Sequence, residues 1–339
     1  MSSVIHSNET WRSSQCLEQE ESAVGAIYTR LSELGYQTTS IFSHTRSIWR
    51  RGYQQVVVSL VDDAWDCALD RSQDTPYLFA ADTTVITDNW INTPTVYQVA
   101  RVPDSFYGIY SYVPADQTWS PDRDYAFGVN RLEFKRMRIL AQLHHVMGLD
   151  PGYVNFNCEV NMRLNHAVPQ LQQNFLNQLE HAGPEELPTL KKLANIMPVK
   201  NYSFEYDKIY TRSWLNITVE TYSSDNVISL SEKTFRCLVT PVPWIAYSGR
   251  YSIARLRSLG FDVLDDVVDH SYDRLIEAHH KIPAFVDCAR RTIVAVKQHD
   301  WSTLASRCCV AAAHNQQRLA EMKLVWPADF HAWLSNRIT

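Results

Sequence analysis

The sequence predicts an α/β protein built on parallel sheets. Three observations lead there. Gln55 to Val61 (QVVVSLV) is a continuous, mostly β-branched run of the kind buried on both faces of a parallel sheet. From Tyr125 to Tyr247, strand-like segments are separated by stretches of helical spacing, as in βαβ units. Beyond Phe261 the spacing is almost wholly helical. At 339 residues and 45% hydrophobic content the chain is long enough for two domains with real cores.

Taken in order, residues 1–22 are polar and expected to be poorly ordered. Ser22 to Leu34 places Val24, Ile27, Tyr28, Leu31 and Leu34 on one helical face, with Gly35 as a stop. Tyr36 to Phe42 reads as a short strand. The strand at 55–61 ends at Asp62-Asp63, where an α/β protein puts a ligand-facing loop. Short strands are expected at Tyr77 to Ala80 and Thr83 to Thr87. A turn-rich section from Pro94 to Pro121 follows, dense in aromatics such as Phe106, Tyr107 and Tyr110, for which packing is the favoured role over lining a pocket.

A second unit begins near Asp124. Tyr125 to Val129 reads as a strand, Leu132 to Gly148 as a helix and Tyr153 to Asn157 as the next strand. Ile217 to Tyr222 is a further strand, Ser231 opens a helix, Trp244 to Tyr247 is a strand and Ile253 to Leu259 a helix. Ser271 to His279, Pro283 to Lys297 and Ser302 to Leu324 complete a helical tail. The expected division is an N-terminal α/β domain over 23–121, a second α/β domain over 122–275 and C-terminal helices over 276–339.

Composition excludes several classes. No stretch approaches the ~18–20 apolar residues of a membrane span, and no apolar leader opens the chain, so a cytoplasmic location and no membrane partner are expected. The seven cysteines include no Cys-x-x-Cys pair, which argues against a disulfide framework or zinc site and for buried reduced thiols. Only ten glycines and no P-loop make a glycine-rich phosphate cradle a poor fit. A formal net charge of −5 gives no global attraction to nucleic acid. Locally, Arg46, Arg50 and Arg51 flank Trp49 and Tyr53, a mixture that could meet a phosphate backbone and a base, or form a solvated loop or helix end.

Two segments carry chemistry. In Ser231-Glu232-Lys233-Thr234-Phe235, a carboxylate and an ammonium stand where the first N–H groups of a helix are free. A carboxylate there can hold a sugar diol, and the ammonium with those N–H groups suits a diphosphate. An ordinary helix start is the alternative, since an acid is favoured in any first turn. In the other segment, Asn130-Arg131 follows the 125–129 strand, with Lys135, Arg136 and Arg138 at the start of the next helix. Cations there oppose the helix dipole, which suggests an anionic neighbour. His144-His145, His279-His280 and His314 are read as structural or exposed, because adjacent histidines on a helix point in different directions.

The order of these parts resembles the donor half of α-1,3-fucosyltransferase-like glycosyltransferases of the GT-B type. Phe127-Gly128-Val129-Asn130-Arg131 with Arg136 and Arg138, then Ile217-Thr218-Val219-Glu220, then the Ser231–Phe235 helix start stand in the family's sequence over roughly residues 124 to 260. The pattern departs at Thr221, where the family carries an amide, and the N-terminal half has no counterpart. Asp104 to Tyr110 also resembles glycosyltransferase-like proteins of phage genomes.

The resemblance implies two Rossmann-type domains with a helical segment crossing back over the first. It implies a nucleotide-diphosphate sugar as co-substrate, with Glu232 on the donor ribose, Lys233 on the diphosphate, and Arg131 or Arg136 as a second phosphate contact. Asn130, closing its strand, would be a further donor contact, and Glu220 would stand near the base or sugar. Fixed cations would stabilise the leaving diphosphate, so no metal or other cofactor is expected. Inverting transfer needs a general base from the first domain. Asp63 and Asp62 are the leading candidates, Asp82 and Asp88 come behind them, and helix capping is the alternative role for each. The phage likeness points to a hydroxymethylated pyrimidine in DNA as acceptor, with Trp49, Arg50 and Arg51 as acceptor contacts. The competing expectations are a non-catalytic binding or structural protein on this fold, and a nucleotide-sugar hydrolase or epimerase.

Overall fold

A computed structural model describes residues 14–43, 46–59, 83–87, 90–91, 98–110, 118–129, 134–148, 152–156, 210–220, 227–276 and 278–337. The expected strand at 77–80 and the segment 157–209 lie outside them.

Helix α1 (Ser14–Glu33) begins inside the stretch expected to be disordered. Its polar opening is rich in Gln and Glu, which favour helix by intrinsic propensity. Ala23, Val24, Ile27 and Leu31 are buried, so the face predicted from the spacing is the one that packs. Five strands follow in one sheet: β1 (Gln37–Ser43), β2 (Arg46–Arg51), β3 (Gln54–Ser59), β4 (Thr83–Thr87) and β6 (Gln98–Arg101), in the order β1-β2-β3-β4-β6. β3, β4 and β6 are mutually parallel, and Val56, Val57 and Val58 of β3 are buried, as the β-branched run predicts.

The other half of this sheet is antiparallel, which departs from a Rossmann-type domain. The reason is local: Arg51 pairs with Gln54 across Gly52-Tyr53, and a two-residue connection can join only antiparallel strands. Gly52 has φ 61°, the left-handed conformation such a turn uses. The Arg46–Tyr53 segment, read as a loop or helix end, is therefore a β-hairpin.

The second sheet is wholly parallel. β7 (Arg123–Val129), β8 (Gly152–Phe156), β9 (Ser213–Val219) and β11 (Trp244–Tyr247) lie in the order β11-β9-β7-β8. The chain enters at β7, steps one way to β8 and returns to the other side for β9 and β11. Helices α2 (Phe134–Met147), α3 (Glu232–Val239), α4 (Ser252–Ser258), α5 (Ala278–Gln298) and α6 (Trp301–Arg337) accompany it. The expected helix at 271–279 is a short 3-10 turn at Ser271–Arg274, with α5 opening at Ala278. The last helix runs on through Pro327 to Arg337, past the Leu324 end expected from spacing. A separate pair joins β5 (Trp90–Ile91) antiparallel to β10 (Val227–Ile228).

The tail ties the halves together. α6 packs on the 3-10 turn Asp104–Tyr110, with Phe106 edge-on to Trp326 at 5.9 Å and the Ser105 hydroxyl donating to Asp329 at 2.7 Å. Phe106, Tyr107 and Tyr110 are buried, and the latter two lie 5.1 and 4.8 Å from Phe235 of α3, so these aromatics pack the connection. A Cβ on Gly108 would fall 2.2 Å from the Lys323 backbone nitrogen. Neither backbone can yield cheaply, so Gly108→Ala should destabilise the protein by about 1–3 kcal/mol, measured by urea denaturation.

Cys237, Cys288 and Cys308 are free and buried. Burial pushes the Cys288 and Cys308 thiols up to about 12, leaving them inert. Among the described residues no helix is long and apolar enough to cross a membrane.

Candidate functional site

In an open α/β sheet, ligands bind outside the carboxyl ends of the strands, where the strand order reverses. Here that point lies between β7 and β9. β9 leaves the sheet at Val219-Glu220, and the Glu220 N–H still donates to the Tyr247 carbonyl at 2.9 Å, so the ends of β9 and β11 stand side by side. Asn130 and Arg131, which follow β7, lie outside the described residues, as do Asp62, Asp63, Asp82 and Asp88.

The helix start expected at Ser231 is present. Ser231 is the extended N-cap of α3, and its hydroxyl accepts from the Lys233 N–H at 3.4 Å. Glu220 reaches under it. Its carboxylate accepts from the Ser231 N–H at 3.0 Å and from the hydroxyls of Ser231 and Thr234. The side chain is fully buried, with the Lys233 ammonium 3.9 Å away. Burial raises the carboxyl above its ordinary value, against the lowering pull of Lys233 and the two hydroxyls. The expectation that Glu220 stands at the base or sugar is thereby revised. Its oxygens are taken up by the start of α3, and its role is to aim that helix.

α3 is also held at its far end. Asn315 and Gln316 of α6 donate to the carbonyls of Leu238 and Val239 at 2.9 and 3.1 Å, supplying partners for the last turn. A helix of only eight residues is too short to stand by itself, and these two attachments fix where its first turn points.

Glu232 and Lys233 sit at that first turn. The Lys233 ammonium lies 2.8 Å from a Glu232 oxygen and 3.1 Å from the Ser231 hydroxyl, so the two charged groups engage each other. Arg136, in the first turns of α2, is 1% exposed, and its Nη2 donates to the Val219 carbonyl at 3.3 Å. The helix after β7 thus delivers a cation to the end of β9. Glu232, Lys233, Glu220 and Arg136 gather at one sheet edge.

A further cation at this edge has no sequence motif. Lys281 of α5 is 1% exposed and donates to the Ser248 carbonyl, just beyond β11, at 2.8 Å. A buried lysine is rare enough to be a signal. Its sequence context, a helix opening with His279-His280, does not announce burial.

The acceptor residues fare differently. Trp49 is buried, donating to the Ser47 hydroxyl at 2.8 Å and packing against Tyr28 at 5.1 Å. Its ring is part of the core, and the expectation that it meets a base is corrected: side chains alternate along β2, and Trp49 falls on the inner face. Arg50 and Arg51 are exposed at the end of the hairpin, donating to Gln55 and Gln54 respectively, beside a Tyr53 that is 96% exposed.

Asp122-Arg123-Asp124 has the spacing of a metal-binding aspartate pair, but it stands where β7 enters the sheet, at the edge opposite the site. Asp122 is engaged with Arg212 and Tyr153, and Asp124 with Lys297 at 2.6 Å. Among the described residues no cluster of His, Cys, Asp and Glu could hold a metal ion. His279 and His280 are exposed, and His314 is bonded to the Gly260 carbonyl at 2.8 Å. A polar cavity of about 370 Å³ bordered by Tyr251, Arg257, Asp265 and His270 shares no residue with the site.

No protein-family model matches the chain, and no curated protein matches its sequence.

Proposed function

We propose that this chain is a metal-independent, inverting glycosyltransferase of GT-B type that moves a sugar from a nucleotide-diphosphate donor to a hydroxyl acceptor. One observation carries the reading: the Ser231–Lys233 helix start is pinned at the carboxyl edge of a parallel sheet beside its strand-order reversal, with the Arg136 cation at the end of the same strand, β9. A diphosphate is recognised by such a combination of helix dipole and fixed positive charge.

In this reading the acceptor oxygen attacks the anomeric carbon as the bond from that carbon to the diphosphate breaks. The electron pair leaves on the diphosphate oxygen, where Lys233 and Arg136 stabilise the growing charge. Glu232 accepts from the ribose diol. Both partners of the Glu232–Lys233 pair would then be redirected to the donor, one to its sugar and one to its phosphates. The acceptor proton passes to a carboxylate of the first half, for which Asp63 and Asp62 are the proposed residues. The pairing of β5 with β10 brings the first half beside the segment that leads into Ser231, which supports a cleft between the halves as the place of transfer. A hydroxymethylated pyrimidine in DNA remains the proposed acceptor, and the exposed Arg50 and Arg51 are its proposed phosphate contacts.

The test is a thermal-shift screen of the purified protein with GDP, UDP, ADP and CMP at millimolar concentration, followed by the sugar conjugate of whichever binds. A ligand at a hundred times its dissociation constant stabilises the native state by about 2.7 kcal/mol. Stabilisation by one nucleoside diphosphate, with acceptor-dependent release of that diphosphate from its sugar, is the expected result. Turnover without acceptor would indicate a hydrolase or epimerase. No stabilisation by any of them would overturn the reading in favour of a non-catalytic binding protein.

A further inference from the structure

The polar cavity of about 370 Å³ beside α4 is bordered by Tyr251, Ala254 and Arg257 and by the stretch 265–274. Its size falls at the lower end of the roughly 300–1,000 Å³ of small-ligand pockets. Most of its charged groups are already matched. Asp265 takes two nitrogens of Arg257, at 2.7 and 2.5 Å, and Asp269 takes Arg291 at 3.1 Å together with the Ser271 N–H at 2.8 Å. The buried Asp273 accepts from the Ile253 and Ala254 N–H groups, each at 3.1 Å. Arg274 is the exception. It is exposed, and among the described residues its guanidinium meets no carboxylate and no hydrogen-bond acceptor.

Backbone strain collects around the same cavity. Tyr251 (φ 67°) and Leu264 (φ 59°) are the two described non-glycine residues in the left-handed region, one bordering the cavity and the other next to Asp265 in its wall. Leu264 has a reason in the fold, since its side chain is buried in the core. Tyr251 has none of that kind. Its side chain is 44% exposed, so burial does not offset a conformation that glycine would adopt without steric cost. The Arg250 guanidinium lies 4.4 Å from the ring centre, donates to the Tyr251 hydroxyl at 2.6 Å and reaches the Arg274 carbonyl at 3.2 Å. A bulky exposed aromatic kept where glycine would be easier marks a surface held for contact with a ligand.

We propose that this cavity binds a small sugar phosphate, a phosphomonoester carrying several hydroxyl groups. The Arg274 guanidinium takes the phosphate, its planar fork of N–H donors matching two phosphate oxygens. Asp265 and Asp269 keep lone pairs beyond those their arginines use, and these accept from the sugar hydroxyls. The Tyr251 ring, with Ala254 and Val268, supplies apolar surface for the C–H face of the sugar. The cavity shares no residue with the site at the start of α3, so this binding neither needs the transferase reading nor supports it.

Two variants test it. Arg274→Gln removes the charged fork at an exposed position, and Tyr251→Gly removes the ring while relieving the left-handed backbone. Binding of glucose, mannose and ribose phosphates, of the parent sugars and of inorganic phosphate is measured by calorimetry on the full chain, with Tm alongside. At least one sugar phosphate should bind more tightly than its sugar or inorganic phosphate, and Arg274→Gln should weaken it roughly tenfold or more. Tyr251→Gly should also lose affinity while its Tm stays at or above the wild-type value, which a tyrosine kept for folding would not allow. Lys233→Ala should bind the sugar phosphate as wild type does. No binding of any sugar phosphate at millimolar concentration would overturn the proposal, as would wild-type affinity in Arg274→Gln. Affinity lost in Lys233→Ala and kept in Arg274→Gln would overturn it by placing the ligand at the start of α3. Inorganic phosphate binding as tightly as every sugar phosphate would overturn it in favour of a plain anion site.

Discussion

Lys233→Ala is expected to abolish most of the affinity for a nucleoside diphosphate while leaving the fold intact. Lys233 is partly exposed at the mouth of α3, and its ammonium meets Glu232, the Ser231 hydroxyl and, at 3.9 Å, Glu220. A hydrogen bond to a charged group contributes about 1.5–3 kcal/mol, so the loss should be roughly 10- to 150-fold in Kd. Glu232→Ala should act on a different part of the ligand. In the proposed reading it holds the ribose diol, so its loss should weaken the ribonucleotide while leaving pyrophosphate affinity intact. A 2′,3′-dideoxynucleotide should already bind wild type poorly. Calorimetry with the nucleotide, its dideoxy analogue and pyrophosphate separates the two variants. Equal loss of pyrophosphate binding in both would mean that the Glu232–Lys233 pair acts as one unit, contrary to the division of roles proposed here.

Glu220→Ala should be the most destabilising single change at the site. The fully buried carboxylate satisfies the Ser231 N–H and the hydroxyls of Ser231 and Thr234, and an alanine side chain offers no acceptor in its place. Leaving such donors buried without an acceptor costs about 1–3 kcal/mol each, though not additively, and a total of about 3–5 kcal/mol is expected by denaturant unfolding. The start of α3 would be released with it, so nucleotide binding should fall even though Glu220 does not face the ligand.

Glu220→Gln separates charge from shape. Burial holds the wild-type carboxyl above its ordinary value, so the folded state binds this proton more tightly than the unfolded one. The stability the group contributes is fully present below the unfolded carboxyl value and declines as pH rises through the folded one. As pH rises above the ordinary carboxyl value of about 4, wild-type Tm should therefore carry a downward component that Glu220→Gln lacks. Parallel Tm profiles for the two proteins would show that Glu220 does not titrate in this window.

These predictions divide along the same line as the legibility of the chain. Patterns confined to a few neighbouring residues could be read directly. The β-branched run became β3, the apolar spacing of α1 became its buried face, and Ser231-Glu232-Lys233 became a capped helix start. In each case the determining contact lies within a strand period or a helical turn. The placing of the Arg136 segment at the end of β9, beside the Ser231 segment, follows the strand–helix alternation, which sets successive strand ends on one edge.

What the sequence determined by itself, then, is a parallel α/β core, the helix start with its Glu-Lys pair, and the edge at which its charges gather. Only the tertiary structure decided which of those charges face outward. Glu220 turns inward to Ser231, Trp49 enters the core against Tyr28, and Lys281 arrives from α5 to hold Ser248. Those outcomes depend on partners far apart in the chain, such as Arg136 with Val219 and Asn315 with Leu238. A residue's charge is a property of its side chain, but its burial is a property of whatever folds over it, and local periodicity carries no record of that.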